Sequence, residues 1–300
     1  MNLPQIRAFR AVAMHRGFST AAQALGVSQS AVTQQIKALE QALGARLFHR
    51  MGGTVDLTQA GRDLLPSVHR AAMVLDELGS TVSAARDLRV GHLLAGICAP
   101  HVAMPILKGF MTEYPGVRLE VRLENSGHLL DRVASHHFDV AIATLSQPHP
   151  DFFCQRLVAQ RVLVMVPVDH PWAGRSAIDV GDLAGAPFVL REAGSMTRQL
   201  FQAGLEAAGV AIDERLTLGS REAVKEAVAA GVGCGIVLDR ELGCDPRLAG
   251  IPVEGTGMAA AEFVVALPDI AELGAVAGFI AAARAVYRPE ETPRSVAVAR

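Results

Sequence analysis

Three hundred residues, half of them hydrophobic and 5% aromatic, suffice for two or three separately cored domains of helical or α/β type. The net charge of −2 hides a split: residues 1–65 carry seven Lys/Arg against Glu40, Asp56 and Asp63, hence +4, while the remainder carries 21 basic and 27 acidic groups, hence −6. A basic head on an acidic body points to a polyanion for the head and a different task for the body. No run approaches the roughly 20 apolar residues of a membrane span, and "MNLPQIRAFR" has no signal-peptide pattern. Cys98, Cys154, Cys234 and Cys244 are scattered without C-x-x-C, so a reduced, cytoplasmic protein with no membrane partner is expected.

In chain order, Ile6, Phe9, Val12 and Ala13 recur at helical spacing, which predicts a first helix over 3–15. Ser19 can cap a short helix over Thr20–Leu25, with Gly26 as a left-handed stop. Ser28 then caps a second helix whose buried stripe is Val32, Ile36, Leu39 and Leu43. Two short helices about a glycine turn make a helix-turn-helix. The outer face of the second helix offers Gln29, Ser30, Thr33, Gln34 and Lys37, short polar groups suited to base edges and phosphates of double-stranded DNA. Strands at Leu47–His49 and Val55–Leu57 around a Gly52–Gly53 turn form a wing, flanked by Arg46 and Arg50 for backbone contacts.

The run "FSTAAQALGVSQSAVTQQIKALEQALGARLFHR…VDLTQAG" resembles the winged helix-turn-helix of LysR-type transcriptional regulators over residues 1–65. The resemblance implies that Ser28, Gln29, Ser30, Thr33, Gln34 and Lys37 read the operator, with wing contacts from Arg46 and Arg50.

From Thr58 the chain stays helix-compatible for some thirty residues. Leu64, Val68, Ala71, Leu75, Leu78, Val82 and Ala85 are spaced as a heptad seam, interrupted by Pro66 and Gly79. The seam suits pairing with a second copy, although small residues can also pack on their own domain. The family resemblance implies a homodimer, often a homotetramer.

After Leu88, strand-like and helix-like segments alternate in two series, which predicts parallel sheets with helices on both faces. Two such series resemble the two-lobed effector domain of the same regulators, related to periplasmic solute-binding proteins. That resemblance implies interlobe crossings near Gln160–Val162 and Val265–Leu267, a last helix over Leu273–Tyr287 that returns to the first lobe, and a ligand in the interlobe cleft. From Pro289 the tail has no periodicity.

Strand-to-helix junctions favour anions through free N–H groups and the helix dipole. The junctions contribute Ala99, Pro100 and His101, then Asn125 and Ser126, then Ser195, Met196, Thr197 and Arg198, then Ser220 and Arg221. Two arginines and several hydroxyls exceed the need of one carboxylate and suit a phosphate or phosphonate. "REAGSMTR" and "APHVAMPILKGFMTEYPGV…LENS" further resemble LysR-type regulators associated with aminoethylphosphonate catabolism. An amine on such a ligand would need an acceptor, for which Glu124, Asn125 and Ser146 are available. "GSMTR" also reads as a capped turn; as a nucleophile, Ser195 lacks the G-x-S-x-G elbow. No two of the ten histidines share a helix face at i,i+4 with a carboxylate, so no metal is expected, and no cofactor. Cys234 and Cys244 read as core thiols before a redox pair.

The expected architecture is therefore multi-domain: an all-α-dominated winged helix-turn-helix head plus an α/β two-lobed, periplasmic-binding-protein-like effector domain. The divisions are 1–58 head, 59–88 linker helix, 89–161 with 267–288 first lobe, 162–266 second lobe and 289–300 tail. The function read from this is a DNA-binding regulator, not an enzyme, governed by a small anionic effector such as 2-aminoethylphosphonate. The alternative is a soluble small-molecule-binding protein or enzyme whose head has lost DNA function.

Overall fold

The computed structural model describes residues 1–51, 54–82, 91–254 and 258–287; the side chains of 50, 51, 54 and 76–82 lie outside that description. The expected Gly52–Gly53 turn, the seam positions Leu78, Val82 and Ala85, and the tail therefore lie outside it too.

The head begins with α1 (Leu3–His15), whose N-cap Asn2 and Gln5 form a reciprocal capping box. Helices α2 (Phe18–Leu25) and α3 (Gln29–Leu43) follow, then β1 (Phe48–Met51) and β2 (Thr54–Leu57), antiparallel with Arg50 opposite Val55. Phe9, Val12, Ala21, Val32, Ile36, Leu39 and Leu47 form the head's core. Gly26 at φ 67° ends α2 as its position implies, and Ser28 caps α3 by accepting from the Ala31 N–H. Ser19 does not cap α2: the N-cap is Gly17, and the Ser19 hydroxyl donates to Gln29 Oε1 instead. Leu43 is 46% exposed, because Gly44 ends the helix before that turn meets the core.

Helix α4 (Gln59–Val82) runs through Pro66 and carries the head towards the body. Gly61 is required here, since a Cβ would lie 2.3 Å from the Leu47 carbonyl oxygen. Part of the N-terminal half of the heptad seam is used within the chain itself. Val68 is fully buried within its own chain, and Leu64, Ala71 and Leu75 pack against the head core. A helix that must bury Leu65, Val68 and Ala72 against the head spends that face on its own domain.

The first lobe contains β3 (Gly91–Ile97), α5 (Pro100–Glu113), β4 (Val117–Leu123), α6 (Ser126–Ala134), β5 (Val140–Leu145) and the first half of β6 (Phe153–Pro167). The second contains the rest of β6, β7 (Ile178–Asp179), β8 (Pro187–Arg191), α7 (Met196–Ala208), β9 (Asp213–Leu218), α8 (Arg221–Ala229), β10 (Gly235–Leu238) and β11 (Leu248–Glu254). Strand β12 (Ala259–Ala266) and α9 (Gly274–Val286) belong to the first lobe. The long sheet runs β4-β3-β5-β12-β6-β11-β7, with β10 also on β6, and β8-β9 form a separate parallel pair. Strand β3 with β4 and β5, β8 with β9, and β7 with β11 are parallel, as is the bridge from Phe188 to Cys234; β6, β10, β11 and β12 add antiparallel pairings that the all-parallel expectation lacks.

Strand β6 changes lobe at Arg161–Val162, where its partner switches from β12 to β10 and β11. The return does not fall at Val265–Leu267. Residues 261–265 already pair with β5, so β12 belongs to the first lobe and the assignment of residues up to 266 to the second lobe is corrected. Within "AEFVVALP", residues 261–266 form a buried strand, and a mostly apolar run carries no sign of which sheet it joins.

The head sits directly on the first lobe. Arg10 of α1 places Nη2 3.0 Å from Asp139 Oδ1, and His69 of α4 brings Nε2 to 3.2 Å from the same oxygen. Asp139 Oδ2 accepts from the Leu94 N–H at 2.7 Å, and the His136 ring lies 4.9 Å from the His69 ring. Burial alone would raise the Asp139 carboxyl; Arg10 and His69 outweigh it and hold the group well below the carboxylate range. Burial, reinforced by His69, pushes His136 down to about 4.

Candidate effector cleft and DNA-reading head

Three helices of the body start with a side-chain cap, and all three N-termini open on one space. Asn125 accepts from the His128 N–H at the start of α6, Ser195 from the Arg198 N–H at α7, and Ser220 from the Ala223 N–H at α8. Each cap is dictated locally, because a short polar side chain in extended conformation satisfies a donor three residues on. The space is an interlobe cavity of about 340 Å³, with Pro100, Asn125, Ser126, Ser195, Met196, Thr197, Ser220 and Arg221 among its lining residues.

Three sequence candidates lie elsewhere. Ala99 is fully buried under the start of α5, and His101 is exposed beyond the rim. Arg198 turns away from the cavity to the Arg191 carbonyl, Glu214 and Thr217, so it braces α7 against β8 and β9. Of the amine-acceptor candidates, Glu124 and Asn125 line the cavity, whereas Ser146 is exposed outside it. Sequence reasoning did not pick Cys98, His128, Thr144, Arg191, Glu192 or Glu222 as contacts, although Cys98 and Glu222 lie in the junction stretches 98–102 and 219–224 that it singled out. Arg191 and Glu192 fall at the end of a strand, the signal used for the other junctions; Thr144 lies near the end of a strand that no helix follows closely.

The cleft is rich in charge, but its cations are already matched. Arg191 pairs with Glu192 at 2.7 Å, Arg132 with Glu124 at 2.9 Å, and Arg221 with the buried Glu241. Arg221 also reaches the Cys98 carbonyl across the lobes at 3.4 Å. A second bridge runs from Asn125 Nδ2 to Glu192 Oε1 at 3.3 Å. Gly194 makes this contact possible, since a Cβ there would lie 2.6 Å from Asn125 Nδ2. Beneath Cys98 and Thr144 lies Glu262, fully buried, accepting from the Thr144 hydroxyl at 2.8 Å and from the Gln160 amide. Its carboxyl is pushed up to about 7 by burial, against the hydrogen bond from Thr144. The Cys98 thiol is pushed up to about 12, chiefly by burial, which removes it from thiolate chemistry. All four cysteines are free, and Cys234 is buried.

On the head, Ser28, Gln29, Ser30, Gln34, Lys37 and Arg46 are exposed and Thr33 is half-buried. Gln29, Ser30, Thr33, Gln34 and Lys37 line one shallow concavity along α3. Glu40 ties this helix to the wing by accepting the Leu47 N–H at 2.8 Å. Arg50 lies in β1, with its side chain outside the described residues. Among the described residues no group of three or more His, Cys, Asp or Glu could hold a metal ion, and no helix is long and apolar enough to cross a membrane.

A winged helix-turn-helix joined by one helix to a two-lobed ligand domain is the build of a ligand-responsive transcription regulator. The chain belongs to the LysR family of bacterial transcriptional regulators: residues 3–62 match its helix-turn-helix model and residues 84–288 its substrate-binding domain. It is 33% identical over 233 residues to a RuBisCO operon transcriptional regulator of Acidithiobacillus ferrooxidans, covering 77% of this chain and 75% of that one. A full-length OxyR variant of Pseudomonas aeruginosa shares the fold, with TM-score 0.74 and 21% identity over 98% of this chain and 99% of that one. The Synechocystis PCC6803 CcmR regulatory domain, solved in complex with 2-PG, is 27% identical with TM-score 0.60, covering 67% of this chain and 99% of that domain. The relatives are thus regulators of the RuBisCO operon type, which corrects the narrower resemblance to aminoethylphosphonate regulators. They are regulators and not enzymes, and the chain is a LysR-type transcriptional regulator with a small-molecule effector domain.

Proposed function

We propose that this regulator takes a small phosphate- or phosphonate-type oxyanion in the interlobe cleft and reads operator DNA as a homo-oligomer through α3 and the wing. The carrying observation is the convergence of the Asn125, Ser195 and Ser220 N-termini with Arg221 on one cavity. Aligned N–H groups and helix dipoles favour an anion, and an arginine adds a directed charge. The CcmR domain, which holds 2-PG, supports the same ligand class. An effector touching Asn125 and Ser126 on one side and Ser195, Thr197 and Arg221 on the other favours the closed arrangement of the lobes and so shifts the population of head arrangements in the oligomer. Ser28, Gln29, Ser30, Thr33, Gln34 and Lys37 contact DNA in this reading, with Arg46 and Arg50 on adjacent phosphates. A thermal-shift titration with inorganic phosphate, 2-PG and simple carboxylates tests the ligand class. A ligand at 100 times its dissociation constant adds about 2.7 kcal/mol of stability. Phosphate-type ligands should give that shift in the wild type and much less of it in Arg221→Gln; stabilisation by carboxylates alone overturns the reading.

A further inference from the structure

Two buried acids under the cleft have no part in the ligand contacts described so far. Glu241, in the short helix Asp239–Glu241, has 2% of its side chain exposed and is the partner of Arg221. Glu262 is the other, on β12 of the first lobe, paired with β6 close to the point where β6 changes lobe. Cys98 connects them: its carbonyl accepts from Arg221, and its thiol lies 3.7 Å from Glu262 Oε2. Cys98 and Thr144, both touching Glu262, form part of the cavity wall, so one layer of side chains separates that acid from a bound ligand.

We propose that the cleft takes up a proton together with its anion, the proton settling on the Glu241–Glu262 pair beneath Arg221. The inference rests on the reading of the cleft as an anion site and concerns how that site is regulated. An anion against Arg221 draws on the one cation that offsets both acids and places a further negative charge beside them. Burial keeps water from screening the repulsion, so protonation of an acid relieves it.

The groups facing each acid set the direction. Glu262 meets the Thr144 hydroxyl, the Gln160 amide and the Cys98 thiol, with Glu241 and Arg221 as the nearest charges and the Tyr287 phenol in its field. Glu241 meets Arg221, Arg191 and the Leu238 backbone, while Lys225 binds its carbonyl oxygen. The Thr144 and Cys98 hydrogen bonds favour ionised Glu262 and the Leu238 backbone favours ionised Glu241, while Arg221 is the cation that favours both ionised forms and Arg191 acts on Glu241. Burial already holds Glu262 up at about 7 and raises Glu241. An anion therefore moves Glu262 further up, and the uptake falls above pH 7, where the free protein has lost that proton. By linkage, affinity declines as pH rises from 7 to 9, by at most about tenfold per pH unit for one proton.

Sulfate is the chosen probe, because its charge is constant over this range. Calorimetric titration of the full chain with sulfate at pH 8, in one buffer of low and one of high ionisation enthalpy, should give different heats corresponding to uptake approaching one proton per chain. Glu262→Gln should lose most of that uptake and bind with nearly the same affinity at pH 7 and 9; Glu241→Gln should lose a smaller share. Saturable binding with equal heats in the two buffers overturns the inference while leaving the anion site standing. No binding of sulfate or phosphate at any pH removes the anion site and the inference together. Infrared spectra of the ligand-free wild type against Glu262→Gln give an independent reading. A carboxylic-acid carbonyl band that fades as pH rises through 7 and persists higher with sulfate is expected, and its absence at pH 6 overturns the proposal.

Discussion

Asp139 and Glu262 are both carboxyls without solvent exposure, yet they hold opposite protonation preferences. Asp139 sits between α1, α4 and the first lobe, with Arg10, His69 and the Leu94 N–H around it, and stays an anion far into acid. Glu262 sits where the lobes join, among a hydroxyl, an amide and a thiol, and reaches half-protonation near neutrality. Burial is common to the two sites, so it does not decide the charge; the presence of cations does. The cation-matched carboxylate is a fastener between head and body. The cation-poor one stands at the hinge, where a change of charge accompanies a change in the cleft.

Removing one partner from the fastener should have the largest effect. Asp139→Asn keeps an acceptor for Leu94 but removes the buried carboxylate that Arg10 and His69 face, and loss of one member of a buried pair costs about 3–5 kcal/mol. Urea unfolding at pH 7 should show a loss of that size, and a loss below about 1 kcal/mol would break the contrast between the two carboxyls. The acid limb comes next. His136 is lowered to about 4, so the folded state resists a proton that the unfolded chain accepts from about 6.5 downward. Stability should therefore fall as pH drops through that window, by about 2–3 kcal/mol at pH 4.5, and His136→Gln should flatten the decline in urea midpoints. The Asp139 contribution survives this window and is lost only at still lower pH, because its folded value is depressed below 3.8.

Neither carboxyl could be assigned its role from the sequence, whereas the three caps could. A cap is a bond over three residues, so Asn125, Ser195 and Ser220 are legible wherever a short polar residue precedes a helical period. Arg10 and Asp139 are 129 residues apart, and Glu262 and Thr144 are 118 apart; only the completed sheets bring them together. The same locality explains the heptad seam. Spacing shows that α4 has an apolar face, but whether that face meets a second copy or the chain's own head depends on where α1 and the wing lie. Arg198 was misplaced for a related reason: its position at a helix start is local, while Glu214 and Thr217, which turn it away, lie on the next strand.

The exposed charges of the head sharpen the contrast from the other side. Lys37 and Gln34 are open to solvent on α3, so Lys37→Ala and Gln34→Ala should leave unfolding unchanged within about 0.5 kcal/mol. In gel-shift titrations on the upstream intergenic DNA, Gln34→Ala should cost about 1–3 kcal/mol and relax base preference, while Lys37→Ala should weaken binding to all sequences and reduce the salt slope. Unchanged binding in both variants would sink the operator contacts proposed for α3.

Glu262 itself separates the two carboxyls most directly. Glu262→Gln preserves shape and keeps an oxygen for the Thr144 and Gln160 donors. A folded value raised to about 7 from 4.5 means that the folded state holds a proton the unfolded chain releases, so this acid's contribution is whole below 4.5 and is lost as pH rises through 7. At pH 5 the side chain is a neutral acid and its amide replacement should alter stability by less than about 0.5 kcal/mol. At pH 8 the wild type holds a buried carboxylate that the variant lacks, so by the same linkage the variant should be the more stable by about 3 kcal/mol. Urea midpoints at the two pH values test this, and a variant less stable than wild type at pH 8 would show that Arg221 compensates Glu262 as fully as Arg10 compensates Asp139.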